Sequence, residues 1–455
     1  MMVKCPIAQL KDSDDLAIIS REEDISYRDL NQRVNAAMYW CIHNGIKPGD
    51  RICFHEKNSL ELIILALALF RIGAVFCPIS PRIPQESYVK MEKQIDASQS
   101  LLNLSEIFEE MDLEAERELS EQILLDQDAS IIFSSGSTGK SKAILHSYNN
   151  HYYSALGANH NMPLKPGNRW LLSLPIFHVG GLSILFRSFF AGSTVVLHDP
   201  AIAIPEMIND FQISHISMVP TQLLRVIDSA YMKLPKVILI GGAPMPDMLR
   251  EKIIKKRLPV YTTYGSTEMC SQITTTNAND IPDRLNTSGR LLLHRELKLA
   301  KSGEILVKGN SLCKGYINKD ELTSIVDADG WYHTKDLGQL DDDGYLNVLG
   351  RMDNMFISGG ENIYPERIEQ ALKAIDTIEE AIVVAISHEE FGERPIAFLK
   401  GDWLEFELIQ KLELGLARFE IPDRFEAWPE EVANDGLKVN RTGIKNYVQN
   451  KYHKH

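Results

Sequence analysis

The chain predicts an α/β fold followed by a smaller α+β unit, and three observations carry that expectation. Apolar runs of strand length alternate with runs of helical spacing over the first 280 or so residues, the rhythm of βαβ units. From about Gly289 the texture changes to short β segments separated by Gly and Asp turns. It changes again after Gly350-Arg-Met-Asp353, where about a hundred residues read as a compact α+β unit. At 455 residues, two or three domains are expected, since a domain usually has about 100–200 residues.

The elements follow in order. Ser26-Tyr-Arg-Asp29 is a capping box, and Leu30, Val34, Ala37, Met38 and Cys41 then keep helical spacing until Gly45. Residues 51–54 read as a strand, 60–70 as a buried helix and 74–77 as another strand. The stretch 85–128 is acidic and helical in propensity. Strands are expected at 129–133, 171–174, 194–197, 215–219 and 237–240. A meander or small barrel is expected from 303–308, 331–333 and 344–348. In the last unit, 365–374 and 404–418 read as helices and 381–386 and 394–399 as strands.

Composition excludes several functions. A formal net charge of −14 disfavours nucleic acid and anionic membrane as partners, because both reward basic surface. The six cysteines are scattered without a C-x-x-C pair, which argues against structural zinc and fits a reducing cytoplasm. The start, Met-Met-Val-Lys-Cys, has no signal-peptide core, and the longest apolar run, 62–70, is far short of a membrane span. Self-association is left open.

Ser134-Ser-Gly-Ser-Thr-Gly-Lys-Ser-Lys-Ala143 is the segment richest in chemistry. Small hydroxyls, Gly136, Gly139 and Lys140 after an apolar strand suit an oligophosphate, because backbone N–H groups and hydroxyls can surround the anion. A Walker A loop would need glycine where Ser134 stands and a helix where 143–146 looks extended. A plain polar hairpin is the competing reading.

Further motifs stand downstream: Tyr264-Gly-Ser-Thr-Glu268, Tyr332-His-Thr-Lys-Asp336, Gly350-Arg-Met-Asp353, Ser358-Gly-Gly-Glu-Asn-Ile-Tyr-Pro365 and Asp435-Gly-Leu-Lys-Val-Asn-Arg441. In this order, over nearly the whole chain, they resemble the core motifs of the adenylate-forming superfamily of acyl-CoA synthetases, luciferases and adenylation domains. The resemblance implies an N-terminal domain, residues 1–351, of two α/β subdomains plus a small β-barrel. A mobile C-terminal domain, residues 352–455, would turn about a hinge at Asp353. It implies ATP, Mg²⁺ and CoA as reactants and cofactor, and an acyl-adenylate intermediate.

By the same resemblance, Ser134, Ser135, Gly136, Ser137, Thr138, Gly139 and Lys140 hold the β- and γ-phosphates. Glu268, with Thr138, holds Mg²⁺, and Thr267 contacts the α-phosphate. Asp336 takes the ribose hydroxyls, with Arg351 close to the sugar. Gly241, Gly242, Ala243, Tyr264, Gly265 and Ser266 line the nucleotide. Lys438 is the expected adenylation lysine and Lys445 the runner-up, because Leu437 separates Gly436 from Lys438 where the common form has none. Gly359 and Gly360 are expected beside the thiol, although Ser358-Gly-Gly-Glu also reads as a tight turn. Ser141 and Ala143 depart from the usual proline and glycine.

The acid is read from Pro175-Ile-Phe-His-Val-Gly-Gly-Leu-Ser-Ile-Leu-Phe-Arg-Ser188. His178 is expected near the adenylate, with Gly180, Gly181, Ser183, Thr221 and Ser271 in the acyl wall. Arg187 lies in an apolar helical stretch, so it either reaches the surface or meets a substrate anion. The second option fits an acid with two carboxylates. The segments beginning at His178, His215 and Tyr264 resemble the subfamily that activates 2-succinylbenzoate for menaquinone biosynthesis. Ligases for other aryl or medium-chain acids, carrier-loading adenylation domains and a non-catalytic relative are the alternatives.

Overall fold

The computed structural model describes residues 1–112, 119–135, 141–280, 282–430, 432 and 441–452. Two large sheets form its main body. One runs in the spatial order Arg290–Leu291, Ser271–Thr275, Val260–Ser266, Val237–Ile240, His215–Met218, Arg169–Leu172, Thr194–Leu197, Leu16–Ile19 and Asp24–Ser26. Its middle six strands are parallel. The other runs Glu321–Thr323, Gly315–Asn318, Ser141–Ser147, Asp128–Ser135, Val75–Pro78, Arg51–Phe54 and Gln99–Leu101.

Helices Tyr27–His43, Leu60–Ile72 and Val179–Phe190 lie in the core that joins these sheets, packed with Ile18, Phe54, Phe76 and Trp170. The capping box at Ser26 and Asp29 forms as expected, with the Asp29 amide donating to Ser26 Oγ at 3.1 Å. Helix Leu60–Ile72 is buried along ten consecutive residues, 62–71, which is why its sequence lacks a polar face. It ends at Gly73, whose φ of +86° supplies the left-handed cap. A second apolar cluster, including Ile216, Ile238 and Leu249, covers the opposite face of the nine-stranded sheet.

The acidic stretch 85–128 differs from its helical reading. Helices Gln85–Gln94 and Leu104–Glu109 form, but Gln99–Leu101 becomes a sheet edge and Gln122–Leu124 pairs with Met2–Lys4. Local propensity there yields to the free edge of a neighbouring strand.

The meander after Gly289 is a four-stranded antiparallel sheet of Arg295–Leu299, Glu304–Gly309, Tyr332–Leu340 and Leu346–Arg351. The hairpin Gly315–Asn318 and Glu321–Thr323 leaves it to join the seven-stranded sheet beside Ser141–Ser147. Beyond Asp353, Phe356–Ser358, Glu361–Ile363, Ile378–His388, Gly392–Gly401 and Arg424–Ala427 form a separate sheet. Side chains alternate along Ile378–His388: Ala381 and Val383 pack with helix Pro365–Lys373, while Ile382 and Val384 pack with Ile444 and Val448. The second expected helix of this unit stops early, as Glu405–Leu412.

Candidate active site

The parallel strands of the nine-stranded sheet end on one edge, and the segments that follow them carry part of the expected site. His178, Gly180 and Gly181 follow Arg169–Leu172; Thr221 follows His215–Met218; Gly241, Gly242 and Ala243 follow Val237–Ile240. Ile240 pairs with Thr262, so Gly241 lies next to Thr263 and one residue from Tyr264. Open α/β sheets bind ligands at this carboxyl edge. Two glycines are sterically required. A Cβ on Gly181 would strike the Pro175 carbonyl, and one on Gly241 would lie 2.6 Å from Thr263 Cγ2.

Residues 267–270 turn between Val260–Ser266 and Ser271–Thr275. Cys270 and Ser271 adopt φ of +51° and +98° there, which is uncommon for residues with a side chain. Gly265 lies so close to the Ser271 carbonyl that a Cβ cannot fit. The turn is anchored twice: His146 Nε2 lies 2.8 Å from the Thr267 carbonyl, and the Cys313 amide donates to the Glu268 carbonyl at 2.7 Å. Tyr316 Oη donates to Glu268 Oε1 at 2.9 Å, and Lys142 Nζ sits 3.4 Å from that hydroxyl. Burial and then the Glu268 charge push the Tyr316 and Tyr332 hydroxyls well above their ordinary pKa, so both remain donors. An anchored carboxylate among such donors is a hard oxygen ligand of the kind Mg²⁺ prefers.

Asp336 is the second centre. Tyr264 Oη donates to its Oδ2 at 2.6 Å, and an Arg351 guanidinium nitrogen donates to its Oδ1 at 3.1 Å. Burial raises the Asp336 pKa, with Arg351 pulling the other way. Arg351 also donates to the Thr334 carbonyl at 3.0 Å and to Asp353 Oδ2 at 3.2 Å. Tyr264, Asp336, Arg351 and Asp353 are therefore one connected group.

Arg187 is fully buried on helix Val179–Phe190, so the surface-reaching alternative is ruled out. One of its terminal nitrogens donates to Ser271 Oγ at 3.0 Å, and its guanidinium lies 5.5 Å from the Trp170 ring. Its Nε has no hydrogen-bond partner among the described residues. Burial, and then the Arg295 charge, pull its pKa down to about 9, leaving a cation at neutral pH. Among the described residues no carboxylate pairs with it, an arrangement with room in its hydrogen-bonding capacity for an anion. Ser183 Oγ is held by the Gly180 carbonyl at 2.9 Å.

The two arms of the expected phosphate segment pair as antiparallel strands. Ser134 pairs with Lys142 and Ser135 with Ser141, and Ala143 lies on the return strand. The non-Walker reading thus holds for its arms, and Gly136, Ser137, Thr138, Gly139 and Lys140 lie outside the described residues. Lys438 also lies outside them. Lys445, the runner-up, is half-buried and donates to the Asp353 carbonyl at 3.4 Å and Asn354 Oδ1 at 3.3 Å. Gly359 and Gly360 form the tip of the hairpin Phe356–Ser358 and Glu361–Ile363, with φ of +58° and +89°. That turn packs on Phe391 and shares no described contact with the Glu268 or Asp336 groups.

Sequence reasoning gave no role to Tyr316, Tyr332, Lys142, His146 or Trp170, although Tyr332 and Lys142 stand inside quoted motifs. None shares a motif with its partner: pairing of Gly315–Asn318 with Ser141–Ser147 brings Tyr316 beside Lys142 and Glu268 across long sequence gaps. The Gly315-Tyr316 pair after Lys314 was the one local hint.

A profile described as "AMP-binding enzyme" matches residues 8–317. The chain is 32% identical to a 2-succinylbenzoate–CoA ligase of Bacillus cereus, with 96% of each covered. It superposes on the o-succinylbenzoate CoA synthetase of Bacillus subtilis in complex with its acyl-adenylate intermediate, with a TM-score of 0.88, 27% identity and 98% of each chain covered. The same Bacillus subtilis enzyme in complex with ATP and magnesium ion superposes with a TM-score of 0.85 at 28% identity, covering 94% of this chain and 96% of that one.

Proposed function

The chain belongs to the AMP-binding enzyme family, and on that premise we propose that it is an AMP-forming acid–CoA ligase acting on 2-succinylbenzoate. The reaction has two steps. A carboxylate oxygen of the acid attacks the α-phosphorus of ATP, the bond to the bridging oxygen of pyrophosphate breaks, and an acyl-adenylate forms. The CoA sulfur then attacks the acyl carbon, the thiol proton goes to solvent, and the acyl carbon–oxygen bond breaks with its electron pair leaving on the phosphate oxygen of AMP. The product, 2-succinylbenzoyl-CoA, is an intermediate of menaquinone biosynthesis.

The buried Arg187, without a carboxylate partner among the described residues, is the observation that carries the substrate assignment. Its Ser271 partner begins the strand that directly follows the Thr267–Cys270 turn. An anion held by Arg187 and Ser271 would therefore lie close to Thr267 and Glu268. We assign the aromatic carboxylate of 2-succinylbenzoate to this pair, leaving the succinyl carboxylate to be activated. Gly180, Gly181, Ser183 and Thr221 form the wall, and His178 stands at the exposed start of the helix.

The first step brings two anions together, so neutralisation and positioning dominate its catalysis. Ser134–Lys140 takes the β- and γ-phosphates, Thr267 the α-phosphate and Asp336 the ribose, beside Arg351. Gly241, Gly242, Ala243, Tyr264, Gly265 and Ser266 bound the nucleotide. Magnesium, held by Glu268 and Thr138, neutralises the charge of the phosphates when bound. Tyr316 and Lys142 fix the Glu268 carboxylate for that task. Lys438 bridges carboxylate and α-phosphate in the first step. The units 1–351 and 352–455 turn about Asp353 between steps, bringing Gly359 and Gly360 to the thiol. Six free, buried cysteines support a cytoplasmic location. No described helix is long and apolar enough to cross a membrane.

A panel of acids tests this reading. Thioester formation with ATP and CoA is expected to be fastest with 2-succinylbenzoate and much slower with aryl acids lacking the second carboxylate. Equal turnover of the monocarboxylates would overturn the substrate. Pyrophosphate exchange without free CoA thioester as product would favour a carrier-loading enzyme.

A further inference from the structure

His146, His151 and Cys270 form a buried cluster that the adenylation reaction does not use. Their potential ligand atoms all lie within 4.8 Å of one another. The three come from different elements: the strand Ser141–Ser147, the helix Tyr148–Asn161 and the Thr267–Cys270 turn. Cys270 reaches this position through a positive φ of 51°, a conformation that a residue with a side chain adopts at a cost.

Hydrogen bonding orients the two imidazoles. His146 Nε2 lies 2.8 Å from the Thr267 carbonyl, and a carbonyl only accepts, so the ring proton is on Nε2. Its Nδ1 lone pair is buried and has no hydrogen-bond partner among the described residues. His151 Nε2 lies 2.8 Å from Ser130 Oγ, and its Nδ1 lies 3.7 Å from Cys270 Sγ. With the His151 proton also on Nε2, both Nδ1 atoms offer lone pairs. Metal-bound histidines almost always donate the remote ring N–H in this way, to a carbonyl, carboxylate or water. The 3.7 Å separation is close to the roughly 3.6 Å expected between nitrogen and sulfur on one tetrahedral zinc.

We propose that His146 Nδ1, His151 Nδ1 and Cys270 Sγ bind a thiophilic divalent cation, with zinc as the best fit. Two metal–nitrogen bonds and one metal–sulfur bond form, and the thiol proton is released to solvent, with no change of oxidation state. This site is chemically distinct from the magnesium site, because a hard cation prefers oxygen donors. A bound ion would tie the Thr267–Cys270 turn to the strand and helix beneath it. All three side chains are buried, so loading accompanies folding.

The test measures metal in the full chain, expressed without a histidine tag in zinc- or cobalt-supplemented medium and assayed without ATP. The expected results are stoichiometric zinc by elemental analysis and a thiolate-to-cobalt charge-transfer band in the cobalt-grown protein. Cys270→Ser is expected to lose that band and His151→Gln to lower metal content at least tenfold. Trace zinc in the wild type, or cobalt-grown wild type without the thiolate band, overturns the proposal whether or not the variants fold. Retention of the band in folded Cys270→Ser overturns it equally.

Discussion

Arg187→Ala removes the charge that the proposed aromatic carboxylate needs, and the surrounding helix cannot replace it. Truncating one partner of a buried charged pair costs roughly 2–5 kcal/mol, so kcat/KM for 2-succinylbenzoate should fall by roughly 30-fold or more. Rates with a monocarboxylic acid should change far less. Arg187→Lys should recover only part of the loss, because an ammonium cannot reproduce the guanidinium fork that also reaches Ser271. Steady-state kinetics with both acids check this; equal losses on both would point to a structural role. The two lysines separate in the same way. Lys438→Ala should slow acyl-adenylate formation roughly 100-fold or more. Lys445→Ala should leave it nearly intact, since Lys445 donates to the Asp353–Asn354 segment. Pyrophosphate exchange reads both variants, and a reversed order would exchange their assignments.

At the level of elements, the strand–turn–strand Val260–Thr275 connects the proposed nucleotide and acid groups. Tyr264 on its first strand binds Asp336, and Ser271 on its second binds Arg187. The strands approach so closely at Gly265 that a methyl group would enter the Ser271 carbonyl. Gly265→Ala should therefore cost roughly 1–3 kcal/mol of stability and lower both half-reactions together. Denaturant unfolding and single-turnover assays measure these; a stable variant with one half-reaction spared would argue against a shared support. The hydroxyls and glycines of Ser134–Ala143 suggest a phosphate loop in sequence, and only the arms of that segment lie among the described residues. The pairing of those arms follows from the apolar runs on both sides, which pair as Asp128–Ser135 and Ser141–Ser147.

For the whole molecule, stability should fall in acid through buried histidine. His215 is buried beside Trp170, with ring centroids 5.2 Å apart, and burial followed by the Lys236 charge pulls its pKa down to about 4. Its unfolded value is about 6.5, so the unfolded chain binds more protons between these values. The stability is present above about pH 6.5 and is lost as pH falls through 4. From about pH 7.5 to about pH 5, wild type should lose on the order of 2 kcal/mol more than His215→Gln. Matching pH dependence of unfolding in the two proteins would exclude His215 as the source. The proposed rotation at Asp353 would be a second property of the whole chain. Gln370 donates to the Met245 carbonyl at 2.9 Å across the two units, a contact that such a turn would break. Asp353→Pro should keep adenylation and slow thioester formation from supplied acyl-adenylate by more than roughly tenfold. Normal thioester formation in that variant would rule out the hinge.

The sequence by itself determined the α/β rhythm, the change of texture after Gly289 and the order of the chemical motifs. Each of these rests on local patterning or on residues within a few positions of one another. It also singled out Arg187, because a cation in an apolar helix is costly wherever the helix lies. Only the tertiary structure decided between a surface and a buried arginine, since that choice depends on what packs around residue 187. The same holds for Tyr316 on Glu268, Tyr264 on Asp336 and His146 beneath Thr267. Those contacts are made by strand pairing and layer packing between segments 48, 72 and 121 residues apart, separations at which no local spacing rule applies.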